Sequence, residues 1–203
     1  MNFSLNQYLS VGIFLLIIFL GVPLIIILTG RWDFYFTLTS VALLAIASAG
    51  VWLTFYIGRI NIGQGAFALI GAYVSAILVV KVGWSFWVSL PAAGLFAGLV
   101  AFLIGLPILR LRGVYFAMIT LVLTQVVTLT ALALPITNGA KGISNIPLPS
   151  GISFLGFPII PDFGAMENTK IAFYYTACIL MILTYETLYR LVNSRLGHLC
   201  RSM

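Results

Sequence analysis

Side chains that could take part in covalent catalysis are few in this sequence. They are one histidine, two cysteines and four carboxylates: His198, Cys178, Cys200, Asp33, Asp162, Glu167 and Glu186. Acid–base and nucleophilic catalysis require such groups to be positioned together, and no carboxylates, histidines or cysteines recur here at helical spacing. The sequence therefore predicts neither an enzyme nor a metal site, and we expect no cofactor.

Glu186 is the one acid inside a predicted membrane span. An ionisable residue at membrane depth is by default a functional candidate. It also stands four residues before Arg190, the spacing of an ion pair on a helix surface. We favour the second interpretation, an ion pair near the membrane interface.

A glycine motif, G-Q-G-A-F-A at 63–68, formally fits the looser dinucleotide fingerprint G-x-G-x-x-A. It follows no predicted strand and lies within apolar sequence, so we reject a dinucleotide site. The sequence contains no G-x-x-x-x-G-K-[ST] phosphate loop. If transport here uses ATP, another chain must hydrolyse it.

A few uncharged polar residues and glycines at membrane depth form a candidate translocation path. They are Gly63, Gln64, Gly65, Thr120, Thr124 and Gln125. The polar members could hydrogen-bond a passing solute, and the glycines allow close helix approach or a bend. Hydrogen bonds between helices, each worth about 0.6 kcal/mol, are the alternative role, and for each residue alone we prefer it.

The amino-acid composition indicates which kind of secondary-structure element must position these residues. Of 203 residues, 62% are hydrophobic and only 7% are charged, against about a quarter charged in soluble domains. This excludes a soluble enzyme, a nucleic-acid-binding domain and a disordered regulator. The fold class is therefore all-α, a polytopic membrane helix bundle.

Apolar runs between charged residues predict about six transmembrane segments of about 20 residues each. The predicted spans are 1–30, 34–58, 60–80, 84–109, 114–136 and 171–189. Residues 60–80 begin with I-N-I-G-Q-G, which predicts a broken or a tightly packed helix. Residues 137–170, rich in proline and glycine, predict a long surface loop. We divide the chain into an N-terminal transmembrane helix at 1–34 and a second domain at 35–203.

The basic residues set the orientation. If the C-terminal tail is cytoplasmic, six arginines lie inside and four basic residues lie outside, the sign that the positive-inside rule requires. Both termini are then cytoplasmic and the loop at 137–170 is external. The net charge of +6 reflects this topology, and we expect no nucleic-acid partner.

Four motifs, in order, resemble the M-type permeases of branched-chain amino-acid ABC transporters. They are G-Q-G-A-F at 63–67 followed by G-A-Y at 71–73, G-L-P-I-L-R-L-R-G-V-Y-F-A-M-I-T-L at 105–121, T-N-G-A-K-G-I at 137–143, and S-R-L-G at 194–197. The match at 105–121 is the most specific of the four. The resemblance extends from about residue 35 to the end of the chain.

The resemblance implies a permease subunit in a bacterial or archaeal cell (inner) membrane. Its substrates would be branched-chain amino acids or a related small polar solute such as urea or an amide. It would pair with a second permease subunit, as a heterodimer, and bind cytoplasmic ATP-binding subunits and an external or periplasmic solute-binding protein. The family's motif turn at the cytoplasmic face then comprises Arg110, Arg112, Gly113, Tyr115 and Phe116.

In the family, the S-R-x-G stretch precedes a cytoplasmic segment that docks on the ATPase. Here ten residues run from Ser194 to Met203, so we expect a chain that covers about the first two-thirds of a typical permease. Two alternatives remain open. One is a channel or secondary transporter that needs no ATPase, and the other is a truncated, non-transporting remnant.

Overall fold

The structure, a computed structural model, describes residues 21, 23–24, 26, 30, 33–111, 113–154, 157–160, 163 and 169–194. These residues form five α-helices: α1 (Asp33–Tyr56), α2 (Gln64–Val80), α3 (Phe86–Ile108), α4 (Val114–Ala133) and α5 (Thr169–Val192). Two 3₁₀ turns (Pro135–Thr137 and Gly139–Lys141) and two short strands, β1 (Ile152–Phe154) and β2 (Phe157–Ile160), lie between α4 and α5. The predicted first span at 1–30 and the four residues Arg112, Arg195, His198 and Cys200 lie largely or wholly outside the described residues.

Four of the helices, α1, α3, α4 and α5, are long and apolar enough to cross a membrane. Their surfaces carry large apolar side chains, such as Leu95, which is 78% exposed, and Phe102, which is 63% exposed. Such side chains suit contact with lipid rather than with water. The prediction of a polytopic helical membrane protein is confirmed, and the chain is a multi-pass membrane protein.

The chain divides into two compact units. The first comprises Met1–Ile46 and Glu167–Asn193, and the second comprises Ala47–Met166 and Ser194–Met203. The helix α1 therefore contributes residues 33–46 to the first unit and residues 47–56 to the second.

The first unit is held together by aromatic packing between α1 and α5. The Tyr35 and Tyr174 rings meet edge to face, with centroids 5.7 Å apart, and both are buried beside Ile26 and Cys178. An exposed ion pair joins Lys170 Nζ to Asp33 Oδ1 at 3.0 Å. On α5, the predicted pairing of Glu186 with Arg190 is confirmed, since Oε1 and Nε lie 2.7 Å apart.

In the second unit, small residues let α2 lie close to α3. A Cβ atom on Gly71 would stand 3.7 Å from Ala97 Cβ. The Ser75 and Ser89 hydroxyls are 3.3 Å apart across the same contact, and Ser89 is fully buried. Hydroxyl pairs between closely packed helices are typical of membrane interiors.

The helix α2 has only 17 residues, a length of about 25 Å, against a hydrocarbon core of about 30 Å. The residues just before α2 and just after it nevertheless contact the two ends of α4. Before α2, Arg59 Nη1 donates to Leu111 O, three residues ahead of α4. After α2, Lys81 Nζ donates to Ile136 O, three residues beyond α4. The segment 59–81 therefore runs the length of α4, as a short helix preceded by irregular backbone.

The loop between α4 and α5 contains more structure than its composition predicts. The strands β1 and β2 pair antiparallel, with Ile152 opposite Ile160, and both are rich in the β-branched and aromatic residues that strands favour. The loop also contacts the start of α3, because Trp87 Nε1 donates to Ser150 O at 2.8 Å. The prediction of a long surface loop at 137–170 therefore omitted a hairpin.

Candidate translocation site

A cavity of about 540 Å³ lies in the second unit among α1, α2, α3 and α4. We call it the Gln64 cavity. Its lining is mostly aliphatic and aromatic, with small residues along α3, and the lining residues are Gly50, Leu53, Thr54, Ile57, Arg59, Asn61, Gln64, Phe67, Ala97, Gly98, Ala101, Gly105, Ile108, Leu109, Phe116, Thr120 and Leu123. A mostly apolar wall with a few polar groups is the usual make-up of a small-molecule site.

The irregular backbone before α2 is held by hydroxyl groups of α4. Thr120 Oγ1 accepts a hydrogen bond from the Ile62 backbone N–H at 3.2 Å and donates to Ala117 O at 2.9 Å. Thr124 Oγ1 lies 3.2 Å from Thr120 O and 3.4 Å from Ile62 O, so these two carbonyls share its one hydroxyl proton. These contacts satisfy backbone groups that helix α2 leaves free, the condition for irregular backbone at membrane depth.

Two glycines allow this close approach. A Cβ atom on Gly63 would stand 3.1 Å from both Thr120 Cβ and Thr120 O, and one on Gly65 would stand 3.6 Å from Thr124 Cγ2. A side chain at Gly63 would push α2 away from α4. The motif G-Q-G therefore sets the distance between the two helices at this point.

The Gln64 side chain points away from the contact between residues 62–65 and α4, toward α1. A Cβ atom on Gly50 would come within 1.8 Å of Gln64 Nε2, so the amide lies directly against the Gly50 backbone. Its oxygen, Oε1, is buried and finds no hydrogen-bond partner among the residues that the structure describes. A buried acceptor without a partner costs about 1–3 kcal/mol, which marks Gln64 as the unsatisfied polar group of the cavity.

Arg59 closes one end of the cavity. Its Nη1 donates to Leu109 O at 2.8 Å and to Leu111 O at 3.0 Å, and its guanidinium carbon lies 5.4 Å from the centroid of the buried Phe116 ring. The cation–π contact and the two charge-assisted hydrogen bonds fasten the end of α1 to the turn between α3 and α4.

The turn itself requires glycine. Gly113, at the N-cap of α4, has φ 60° and ψ −135°, a backbone conformation that is essentially restricted to glycine. Tyr115 is 74% exposed and Phe116 is 6% exposed, so these two aromatic residues of the turn face different surroundings. Arg110 is exposed, and Arg112 lies outside the described residues.

The structure brings five of the six residues that the sequence predicts for a translocation path close together: Gly63, Gln64, Gly65, Thr120 and Thr124. Gln64 and Thr120 line the Gln64 cavity, whereas the other three lie at the contact between residues 62–65 and α4. Gln125 is exposed and does not line the cavity, because it is about 100° around α4 from Thr124. Sequence reasoning missed Arg59, Asn61 and Gly50. The position of Arg59 and Asn61 directly before G-Q-G was a signal for two of them, whereas nothing in the sequence singles out Gly50.

A second cavity, of about 370 Å³, lies along the later half of α2. We call it the Tyr73 cavity, and its lining residues are Leu69, Ile70, Tyr73, Val74, Ile77, Phe96, Val127, Thr130, Ala131, Leu134, Ile136 and Thr137. Its threonines bond within the chain segment that carries them. Thr130 Oγ1 donates to Val126 O at 2.7 Å, and Thr137 Oγ1 donates to Ala131 O and Leu134 O.

The described residues contain no group of three or more histidine, cysteine, aspartate or glutamate side chains that could hold a metal ion. Cys178 is buried and free. The Gln64 cavity therefore offers hydrogen bonds, one cation and an apolar wall. Such a set of groups can bind a small solute but provides no general acid, general base or nucleophile.

Comparison with known proteins gives a consistent result. The model of the family described as branched-chain amino acid transport system / permease component matches residues 34–203. The chain is 37% identical over 153 residues to the high-affinity branched-chain amino acid transport system permease protein LivM of Escherichia coli (strain K12), covering 69% of the chain and 36% of that protein. It is 36% identical to the protein of the same name from Salmonella typhimurium (strain LT2), with the same coverage.

The chain thus spans about a third of the length of the curated relatives that it matches. No solved structure matches it significantly. The relatives are transport permease components and not enzymes.

Proposed function

Because the chain belongs to the family of branched-chain amino acid transport system permease components, we propose that it forms part of the membrane path for branched-chain amino acids or a related small polar solute. The observation that supports the proposal is the Gln64 cavity, which residues of the family motifs line. Gln64 comes from one motif, and Phe116 and Thr120 come from another. The cavity joins an apolar wall to uncharged polar groups, which suits a small solute with an aliphatic side chain.

Within this proposal, Gly63, Gly65, Thr120 and Thr124 fix the shape of the path, and Gln64 contacts the solute. Gly113 and Phe116 hold the motif turn, which Arg110 and Arg112 anchor at the cytoplasmic face, where Tyr115 meets the interface. The close packing of 62–65 against α4 supports the first assignment. The fastening of the turn to Arg59 supports the second.

In this proposal the chain itself hydrolyses no ATP, since its 203 residues contain no phosphate-binding loop. We propose that cytoplasmic partner chains bind and hydrolyse ATP, that a second permease subunit completes the path as a heterodimer, and that an external or periplasmic protein delivers the solute. In this arrangement Arg59 and the turn before α4 face the cytoplasm, as do both chain termini. Lys81 and the β1–β2 hairpin then face outward.

The test is uptake of tritiated leucine by native cells in which the gene for this chain is deleted or intact. Deletion should remove a component of uptake that persists after collapse of ion gradients and disappears on ATP depletion. Purification of a tagged chain in mild detergent should also recover a second membrane chain and an ATP-binding chain. Uptake that ion gradients drive without ATP would instead indicate a secondary transporter, and unchanged uptake after deletion would overturn the proposal.

A further inference from the structure

Among the described side chains that line the Gln64 cavity, more hydrogen-bond donors than acceptors lack a partner. The hydrogen bonds of Arg59 among the described residues all come from Nη1, which leaves the N–H groups of Nη2 and Nε available. Asn61 Oδ1 already accepts a hydrogen bond from the Gly63 N–H at 2.9 Å. The two N–H groups of the Asn61 amide donate no hydrogen bond to any residue that the structure describes. A surplus of donors beside a guanidinium favours a carboxylate ligand.

The start of α2 adds to this preference. The N-cap residue, Gly63, has no side chain that could cap the helix, although its own N–H donates to Asn61 Oδ1. The first turn of a helix carries partial positive charge, and its first N–H groups have no partner within the helix. In membrane transporters, the N-terminal ends of discontinuous helices commonly point at anionic groups of the substrate. Here the helix follows irregular backbone at 59–63 and begins at the cavity lining.

Among the residues that the structure describes, the one buried side-chain acceptor that lacks a donor is Gln64 Oε1. The amide group is the end of a flexible side chain, and it rests against Gly50, where no side chain blocks it. A ligand that carries an N–H donor would therefore gain by drawing this amide into the cavity. The gain arises because the resting position leaves the oxygen without a partner.

Most of the remaining lining is apolar. Leu53, Phe67 and Leu123 contribute large side chains, and α3 contributes the small residues Ala97, Gly98, Ala101 and Gly105. No described atom lies within 4 Å of the position that a Cβ atom on Gly98 or Gly105 would take, so the cavity has free space along α3. An aliphatic side chain fits beside these residues without leaving a polar group unpaired.

We propose that the Gln64 cavity binds a small aliphatic α-amino acid as a zwitterion, held by three separate groups. Arg59 and Asn61 hold the carboxylate, Gln64 Oε1 accepts from the ammonium group after its amide turns away from Gly50, and Leu53, Phe67 and Leu123 contact the side chain. This assignment rests on the proposed function and adds the residues that would recognise each part of the solute. It makes Arg59 and Gln64 determinants of specificity for the two charged groups on the α-carbon of one ligand.

The experiment uses the protein purified from its native membrane with the chains that accompany it, free of external solute-binding protein, in lipid nanodiscs. Bound tritiated leucine is displaced by leucine, by 4-methylpentanoate, which lacks the ammonium group, or by 3-methylbutylamine, which lacks the carboxylate. Gln64→Leu should weaken leucine and the amine about tenfold and leave 4-methylpentanoate unchanged, since one hydrogen bond to a charge is lost. Arg59→Gln should weaken leucine and 4-methylpentanoate about tenfold and leave the amine unchanged.

Two matched variants serve as controls. Lys81→Gln removes a basic side chain that also bonds a backbone carbonyl but lies away from the cavity. Gln125→Leu removes an exposed amide that does not line it. Both should bind all three ligands within twofold of the unchanged protein.

Equal weakening of all three ligands by Gln64→Leu or by Arg59→Gln would overturn the assignment, because those residues would then only hold the fold. Absence of leucine binding to the unchanged protein would overturn it as well. These results leave the proposed function intact if deletion of the gene still removes ATP-dependent leucine uptake. Unchanged uptake after deletion would remove the proposed function itself.

Discussion

The two cavities beside α2 differ in how their polar atoms are satisfied. In the Tyr73 cavity, Thr130 and Thr137 donate to carbonyls a few residues away in the same chain segment. In the Gln64 cavity, Thr120 bonds a backbone N–H on another element, and Gln64 Oε1 has no partner in the described structure. Polar groups that are satisfied locally suit structural packing, whereas an unsatisfied buried group suits a site that is completed by a ligand.

Arg59 and Lys81, the basic residues that flank α2, also differ in the number of contacts that they make. Lys81 makes one hydrogen bond to a carbonyl beside the Tyr73 cavity. Arg59 makes two and also stacks on Phe116. The greater number of contacts at Arg59 indicates that the turn beside the Gln64 cavity is held more firmly. Four substitutions test this comparison.

The largest expected effect is that of Arg59→Ala. It removes two charge-assisted hydrogen bonds and one cation–π contact, so we expect the free energy of unfolding to fall by about 2–3 kcal/mol. Lys81→Ala removes one exposed contact and should cost less than about 1 kcal/mol. Titration with sodium dodecyl sulfate in mixed micelles measures both, and equal losses would contradict the difference between the two ends of α2.

Gly113→Ala is expected to lower the free energy of unfolding by about 2 kcal/mol, because alanine does not readily adopt the backbone conformation at this position. Leucine uptake should fall as well, since the turn carries the two carbonyls that Arg59 binds. The matched control is Gly94→Ala, which has an ordinary φ and no described atom within 4 Å of its Cβ position. A loss of stability at Gly94 equal to that at Gly113 would show that the backbone conformation is not the cause.

Thr120→Val leaves the Ile62 N–H without its acceptor and should cost about 1–2 kcal/mol of unfolding free energy. The same change at Thr130 removes only a bond within its own helix and should stay within about 0.5 kcal/mol. The same micelle titration measures both variants. Equal losses of unfolding free energy at Thr120 and Thr130 would mean that the hydrogen bond from the Ile62 N–H to Thr120 does not stabilise the packing beside the Gln64 cavity.

The smallest effect has the opposite sign. Gln64→Leu replaces an unsatisfied buried amide with an aliphatic side chain of similar size, so the free energy of unfolding should rise by about 1 kcal/mol. Leucine uptake should fall in the same variant. A gain of stability together with a loss of transport is the signature of a group kept for binding, and a destabilised Gln64→Leu would contradict the proposed role of the amide.

Much of the helical arrangement could be predicted from hydropathy and charge. The predicted span at 114–136 corresponds to α4 at Val114–Ala133, and the span at 84–109 corresponds to α3 at Phe86–Ile108. These spans were predictable because lipid requires an unbroken apolar run closed by charged or turn residues. The β1–β2 hairpin was not, because its short strands lie in a segment rich in glycine and proline.

The candidate site was only partly predictable. Glycine and uncharged polar residues in an apolar run led to Gly63, Gln64 and Thr120, since each is unusual at membrane depth. Arg59 was interpreted only as a topology signal, because its partners are carbonyls 50 and 52 residues later in the chain. Backbone carbonyls carry no residue type, so no sequence pattern could have indicated that contact.

The same separation has a consequence during synthesis. At about 5–20 residues per second, Leu111 is added about 3–10 seconds after Arg59, given the 52 residues between them. During that interval residues 59–63 and α2 lack the hydrogen bonds to Leu109 O, Leu111 O and Thr120 Oγ1 that hold them in the folded chain. The insertion machinery, or water at the membrane interface, has to accommodate the Ile62 N–H until α4 has been made.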